Sequence, residues 1–317
     1  MKRILHFLLL LSLFLTLEFS SFAEDFLNNP AYIAQTGYGA TKESAENNAL
    51  TAISKFFQMK IEVSATERTK ITDTGAKSTM DEEVFVNSQT ELFAVHYTKP
   101  KFDKRQKQYE VTAYIDREEA WRIYEPKLSD AADSFSRFYA EAMAQNDTLS
   151  KIIALSKAAK NAHETEFLKK LDFALILNPD RAEMFDVTRS NLSEIEPTMR
   201  RLAKNCTVRV EVNSDFEERI SKSVKETFSK IGIKTQESGA EYLCSVEVTE
   251  NAQTLAAGTF FTPSFTIQIE KSENVIWSVS KQLKKVGAKN ENIARQRAFS
   301  TLASTVAEIL NEEFKPF

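Results

Sequence analysis

Residues 37–53 read GYGATKESAENNALTAI, and the choice of fold turns on them. Glycines ahead of a helix either cradle a phosphate or let a strand pass into the helix. The dinucleotide fingerprint is Gly-x-Gly-x-x-Gly at the head of a parallel β-α-β unit, with an acid about 20 residues further on. Lys42 stands where the third glycine belongs. Glu62 falls near the required distance, but the strands expected around it have an antiparallel pattern. A second copy helps to decide. Residues 287–302 read GAKNENIARQRAFSTL, so Gly39-Ala40, Ala45, Ala49 and Ile53 match Gly287-Ala288, Ala294, Ala298 and Leu302. The second copy has Val286 ahead of its glycine and a linker one residue longer. Alanines four apart share a helix face, where small side chains seat a helix close on a sheet. The glycine is expected to supply the backbone angle for leaving the strand. Both stretches read as structural joints, with no nucleotide and no cofactor.

Working outward from the first joint, residues 31–115 read as β-α-β-β-β. The helix after Thr41 has the stripe Ala45, Ala49, Ala52, Ile53 and Phe56. KIEVSATERTKI (60–71) puts Ile61, Val63, Ala65 and Ile71 on one face and reads as a half-buried strand, interrupted by Glu67 and Thr69. A polar turn follows at 72–83. Residues 84–98 and 108–115 then form a hairpin around the basic loop KPKFDKRQK, and Tyr109, Val111, Ala113 and Ile115 alternate cleanly in the last strand.

Residues 117–204 read as helical. Asp116 and Glu119 have capping-box spacing, and Trp121, Tyr124, Leu128, Ala131, Phe135, Phe138 and Ala142 form a heptad seam for a partner helix to cover. QNDT breaks the chain before a return helix over 149–177, which Asn178-Pro179 ends. Asp180 with Glu183 can cap a third helix, striped by Met184, Leu192, Ile195, Met199 and Leu202. ALILNP is a single tetratricopeptide-like match without the neighbours such repeats need. From 205 the chain is α+β again. Cys206, Val208, Val210 and Val212 alternate, Ser214 and Glu217 suggest a second capping box, and Phe216, Ile220, Val224, Phe228 and Ile231 stripe the helix. Further strands at 240–248, 265–269 and 275–283 precede the closing helix. The expected fold is therefore α+β, two β-α-β-β-β-type layers joined by a helical segment: residues 24–116, 117–204 and 205–317.

The amino-terminal stretch has the three parts of a secretory signal. Lys2 and Arg3 precede an apolar run from Ile4 to Leu17, and Ser21-Phe22-Ala23 offers a cleavage site after Ala23. Glu18 ends the run short of the roughly 20 residues a spanning helix needs. No cysteine follows to accept a lipid. Removing residues 1–23 takes two of the 41 basic and one of the 45 acidic residues, leaving a net charge of −5. That balance argues against an electrostatically driven nucleic-acid binder.

Gly37, Gly39, Ala40, Ala45, Asn48, Ala49 and Ile53, with the strands up to Ile115, carry a resemblance. This layout resembles the family of the twenty-kilodalton bacterial surface lipoprotein and the amino-terminal domain of flagellar assembly protein T. It covers about residues 30–125. The resemblance implies a non-enzymatic exported module, found in envelope lipoproteins and in a periplasmic ring around the flagellar motor. The missing lipid-acceptor cysteine departs from the lipoprotein side.

Reactive constellations are sparse. His163-Glu164-Thr165-Glu166 begins like a zinc-protease helix, but Phe167 occupies the second histidine position. His96 has no serine or cysteine motif beside it, and Asp81, Glu82 and Glu83 read as a solvated acidic run. Cys206 and Cys244 lie on the inward phase of their strands, where they form either a disulfide or two buried thiols. No metal site is expected. Contact residues are easier to nominate. Lys99, Lys101, Lys104, Arg105 and Lys107 make a positive tip suited to phosphate headgroups or an acidic partner, or else a solvated hairpin end. Phe260 and Phe261 beside Gly258 and Pro263 either form a protein interface or fold back into the core. The expectation is an exported, periplasmic, non-catalytic envelope component that binds other proteins, as part of a homo-oligomer or ring, with peripheral membrane contact and no nucleic acid. The alternative is a carrier for a lipid or peptidoglycan fragment.

Overall fold

The computed structural model describes residues 25–71, 92 and 94–314. The expected signal segment with its cleavage after Ala23, the 72–83 turn with Asp81, Glu82 and Glu83, and the strand expected from 84 to 91 lie outside the described residues. The chain divides into two compact units. The cuts fall within one helix after Val63 and within another after Ile123.

The first unit holds β1 (Tyr32–Gly39), most of α1 (Lys42–Ile71), β2 (Val95–Tyr97), β3 (Lys101–Asp103) and β4 (Gln108–Asp116). β4 is central, pairing antiparallel with β1, β2 and β3. Ile33, Val111, Ala113 and Ile115 are buried on one face of this sheet, and Ala45, Ala49, Ile53, Phe57 and Ile61 are the buried stripe of α1. Each large aliphatic among them contributes about 2 kcal/mol by leaving water. The strand expected over 60–71 is helix throughout. The stripe explains why: Ile61 stands four residues after Phe57 and eight after Ile53, and no glycine or proline intervenes to stop the helix. The alternation of Ile61 and Val63 was a coincidence of composition, and Val63 is 55% exposed. The same stripe makes Phe57, rather than Phe56, the buried aromatic.

The junction α2 (Arg117–Met143) begins at Asp116, whose carboxylate accepts the N–H groups of Glu118 and Glu119. The Glu119 carboxylate does not close a capping box; it meets His96 Nε2 at 2.7 Å. In the second unit follow α3 (Thr148–Glu164), α4 (Phe167–Leu177), α5 (Pro179–Ala182), a 3-10 turn, α6 (Asp186–Ser193) and α7 (Ile195–Ala203). The expected return helix is thus two helices, separated where Glu166 takes a positive φ of 52°. The heptad seam is buried except for half-exposed Phe138, and its rings stack on α4 through Tyr124–Phe173 and Phe135–Phe167. Asn178, not Asp180, caps the next helix, and Met184 is 64% exposed instead of striping a core.

The second sheet comprises β5 (Thr207–Val212), β6 (Lys234–Thr235), β7 (Tyr242–Leu255), β8 (Gly258–Lys271), β9 (Asn274–Gln282) and β10 (Val286–Ala288). Its order is β10-β8-β7-β5-β6, with β9 also on β8. β5 runs parallel to β7 and β6, the rest antiparallel. α8 (Arg219–Ile231) packs against β5, and α9 (Glu291–Phe314) against β8 and β10. The cap of α8 is Asp215, which accepts the N–H groups of Ile220 and Ser221; the box expected at Ser214 is not formed.

Candidate functional site

Neither Gly37 nor Gly39 has a positive φ. A methyl group on Gly37 would fall on the backbone of Ala45 and Ala49, 2.7 Å from Ala49 Cα. The glycine therefore permits close approach of strand and helix, a correction to the turning role expected of it. At the start of α1, Thr41 Oγ1 accepts the Ser44 N–H while Ser44 Oγ accepts that of Thr41. Those amides are satisfied internally rather than presented to a phosphate.

The basic loop is a β3–β4 hairpin. Lys101 pairs with Glu110, Phe102 with Tyr109 and Asp103 with Gln108. Asp103 Oδ1 accepts the N–H groups of Arg105 and Gln106, and Lys107 takes the left-handed conformation that closes the turn. The one acid of the loop is thereby engaged in the turn. Lys99, Lys101, Lys104, Arg105 and Lys107 are all exposed, and none pairs with an acid within 4 Å among the described residues. Phe102, 52% exposed, leans on Tyr109 at 5.0 Å between ring centres, and Lys42 of α1 lies over the Tyr109 ring at 5.9 Å.

The other nominated residues lie in the second unit. Phe260 and Phe261 sit in a strand, not a loop, near the end of a hairpin of two 14-residue strands. Phe261 is 2% exposed and packs against Ala294 and Ala298, so it offers no surface. Phe260 is half-buried on the opposite face, beside Gly287 and under Lys285 at 4.6 Å. Cys206 and Cys244 are both free, buried thiols, and the disulfide left open by the sequence is not formed. Burial pushes both up to about 12, which keeps them protonated and poorly nucleophilic. His163 is exposed on α3.

One cluster escaped the sequence. Asp147 caps α3 by accepting the Ser150 N–H at 2.9 Å, and its other oxygen accepts from Tyr242 OH at 2.9 Å and Lys271 Nζ at 3.1 Å. Lys271 also binds Glu241 at 2.7 Å and lies over the Tyr242 ring. Burial pulls Asp147 up, but its bonds to Ser150, Tyr242 and Lys271 outweigh that and hold the carboxyl below its ordinary value. Burial and Asp147 push the Tyr242 phenol up; Glu241 and Asp147 hold the Lys271 ammonium above its usual range. All three groups stay in their ordinary charge states at neutral pH, and the cluster ties α3 to β7 and β8. The break QNDT holds an unread capping signal at Asp147, whereas its partners Tyr242 and Lys271 are too remote to leave any local signal.

No group of three or more His, Cys, Asp or Glu side chains arranged to hold a metal occurs among the described residues. None of the described helices is long and apolar enough to cross a membrane. A depression of about 510 Å³ in the second unit is lined by Glu217, Arg219, Lys222, Ser223 and Glu226 together with Ser300 and Ala303 of α9.

No family model matches the chain, and no curated protein matches it. Among solved structures, it is similar to the secreted protein HP1454 from Helicobacter pylori, with a TM-score of 0.33, 13% identity, and 88% of this chain and 98% of that one covered. A minor lipoprotein from Acinetobacter baumannii gives 0.28 at 15% identity, over 35% of this chain and 90% of that one. Lipoprotein GNA1162 from Neisseria meningitidis gives 0.23 at 11%, over 33% and 99%. Likeness at this level carries no functional argument.

Proposed function

We propose that the chain is an exported component of a bacterial cell envelope that works by contact, binding other envelope proteins as an assembly part without turning over a substrate. The observation that supports this reading is where the polar chemistry lies. Among the described residues, several groups suited to act as nucleophile or base are engaged in holding structure: two buried protonated thiols, the Asp147–Tyr242–Lys271 tie, and His96 against Glu119. The five cations of the β3–β4 hairpin, by contrast, are exposed, and among the described residues none has an acid within 4 Å. The resemblance at Gly37 to Ile53 points toward the periphery of the flagellar motor as one setting, in a homo-oligomer or ring in the periplasm. A carrier would need an apolar space between sheet and helix. At Gly37 that space is filled by the α1 backbone, and Phe261 fills it beneath α9.

Crosslinking in living cells, followed by affinity recovery and mass spectrometry, tests the reading. Recovery of structural envelope or motor proteins is the expected result. Copurified lipid with no protein partner would overturn it in favour of the carrier.

A further inference from the structure

We infer that the β3–β4 hairpin is a docking element for an anionic phospholipid surface. The inference rests on the proposed envelope role and adds the surface at which the protein is held. Its first support is the hairpin's unbalanced charge. Five cations stand within nine residues, and the single acid among them has its carboxylate turned onto the Arg105 and Gln106 amides. The cross-strand acid Glu110 faces Lys101 without coming within ion-pair distance of it. Its second support is Phe102, half in water in the middle of the charges. Its ring rests on Tyr109, and Lys42 lies over the far partner of that pair. An aromatic body ringed by long basic side chains suits the boundary between headgroups and acyl chains, where the ring enters and the ammonium groups stay at the phosphates.

The kind of cation favours lipid over an acidic protein or a nucleic acid. Four of the five are lysine. Lysine is a point charge without a fixed donor geometry and is depleted from protein interfaces, whereas arginine is the residue of planar, bidentate recognition. Among the described residues, none of the five has an ion-pair partner that would aim it at one particular acceptor. A diffuse sheet of phosphates needs no such aiming; it needs a cluster of basic side chains within a Debye length.

The test is flotation of the protein, purified as its own cell processes it, with vesicles of phosphatidylglycerol and phosphatidylethanolamine and, separately, of phosphatidylcholine alone. Binding to the anionic vesicles that weakens as salt is raised, with little to phosphatidylcholine, is expected. The triple variant Lys104→Gln, Arg105→Gln, Lys107→Asn, with asparagine chosen to tolerate the left-handed backbone, should partition roughly 100-fold more weakly. Phe102→Ala should lose roughly fivefold, independent of salt. Unchanged circular dichroism and melting must accompany both variants; should the triple variant misfold, Lys104→Gln alone gives a smaller loss of the same salt-dependent kind. Equal binding to both vesicle types, no loss in the triple variant, or equally tight capture by polyglutamate or duplex DNA would overturn the lipid assignment. None of those results touches the protein crosslinks on which the envelope role depends, so the two readings fail separately.

Discussion

The two Gly-Ala joints look alike in sequence and differ in construction. At the first, Gly37 and Gly39 point at α1, and Ala45 and Ala49 lie directly on the strand backbone. At the second, Ala294 and Ala298 are equally buried, but they rest on the Phe261 ring of β8. Gly287 faces the other way, against Phe260, its partner across the ladder. One residue of extra linker accompanies the change of face, as the two-residue period of a strand requires. The alanine spacing thus specifies a seated helix in both places. The glycine specifies a backbone-to-backbone contact in one, and room for a half-exposed aromatic in the other.

Alanine at each glycine should separate the two constructions, and with the largest effect. In Gly37→Ala the new methyl meets main-chain atoms that cannot swing aside, so helix and sheet must part, at about 3 kcal/mol. In Gly287→Ala it meets Phe260, including Cε1 at 2.6 Å, and a half-exposed ring can move, at about 1 kcal/mol. Hydrogen exchange read by mass spectrometry locates each effect. Gly37→Ala should speed exchange in 32–39 and 42–63 and leave 242–271 unchanged. Equal losses from the two substitutions would erase the distinction between the joints.

Much of this was legible because both joints depend on local patterns. The alanine stripes, the alternation of β4 and β5, and the Asp116 cap could all be read within a few residues. The reading failed where two local patterns competed or where a partner was remote. KIEVSATERTKI alternates like a strand, yet the α1 stripe runs through Ile61 with nothing to stop it. For Phe261 the sequence left an interface and the core both open, and the remote seat beneath Ala294 decides for the core. The basic hairpin was visible as charge; that its acid folds back onto the turn was not.

The second unit also has a polar tie that acid should weaken. Asp147 is held below its ordinary value of 3.8 when folded, so the unfolded chain takes up the proton first as pH falls. The stabilisation is complete above 3.8 and is lost as pH drops through the lower folded value. Melting followed from pH 6 to pH 2.5 should show the second unit losing stability in that acid window. Asp147→Ala, which removes the cap and the bonds from Tyr242 and Lys271, should cost about 2 kcal/mol at neutral pH and flatten this part of the profile. A variant that retains the wild-type acid response would place the sensitivity elsewhere.

The smallest effect concerns the side chains that fasten each helix to its strand, one residue ahead of the second alanine in both joints. Asn48 Nδ2 donates to the Tyr38 carbonyl at 2.7 Å, and Arg297 Nη1 to the Gly287 carbonyl at 3.2 Å. Both bonds are exposed, worth about 0.5–1 kcal/mol each. Distance alone would make Asn48 the more important. Helix propensity reverses the order, because asparagine is a poor helix residue and arginine a good one. Asn48→Ala regains about 0.5 kcal/mol of what it loses, and Arg297→Ala almost nothing. Chemical denaturation should therefore find Asn48→Ala near neutral and Arg297→Ala about 0.5 kcal/mol destabilising. If Asn48→Ala proves the costlier, the first joint depends on its side-chain tie more than on the close approach at Gly37, and the two joints are more alike than their glycines indicate.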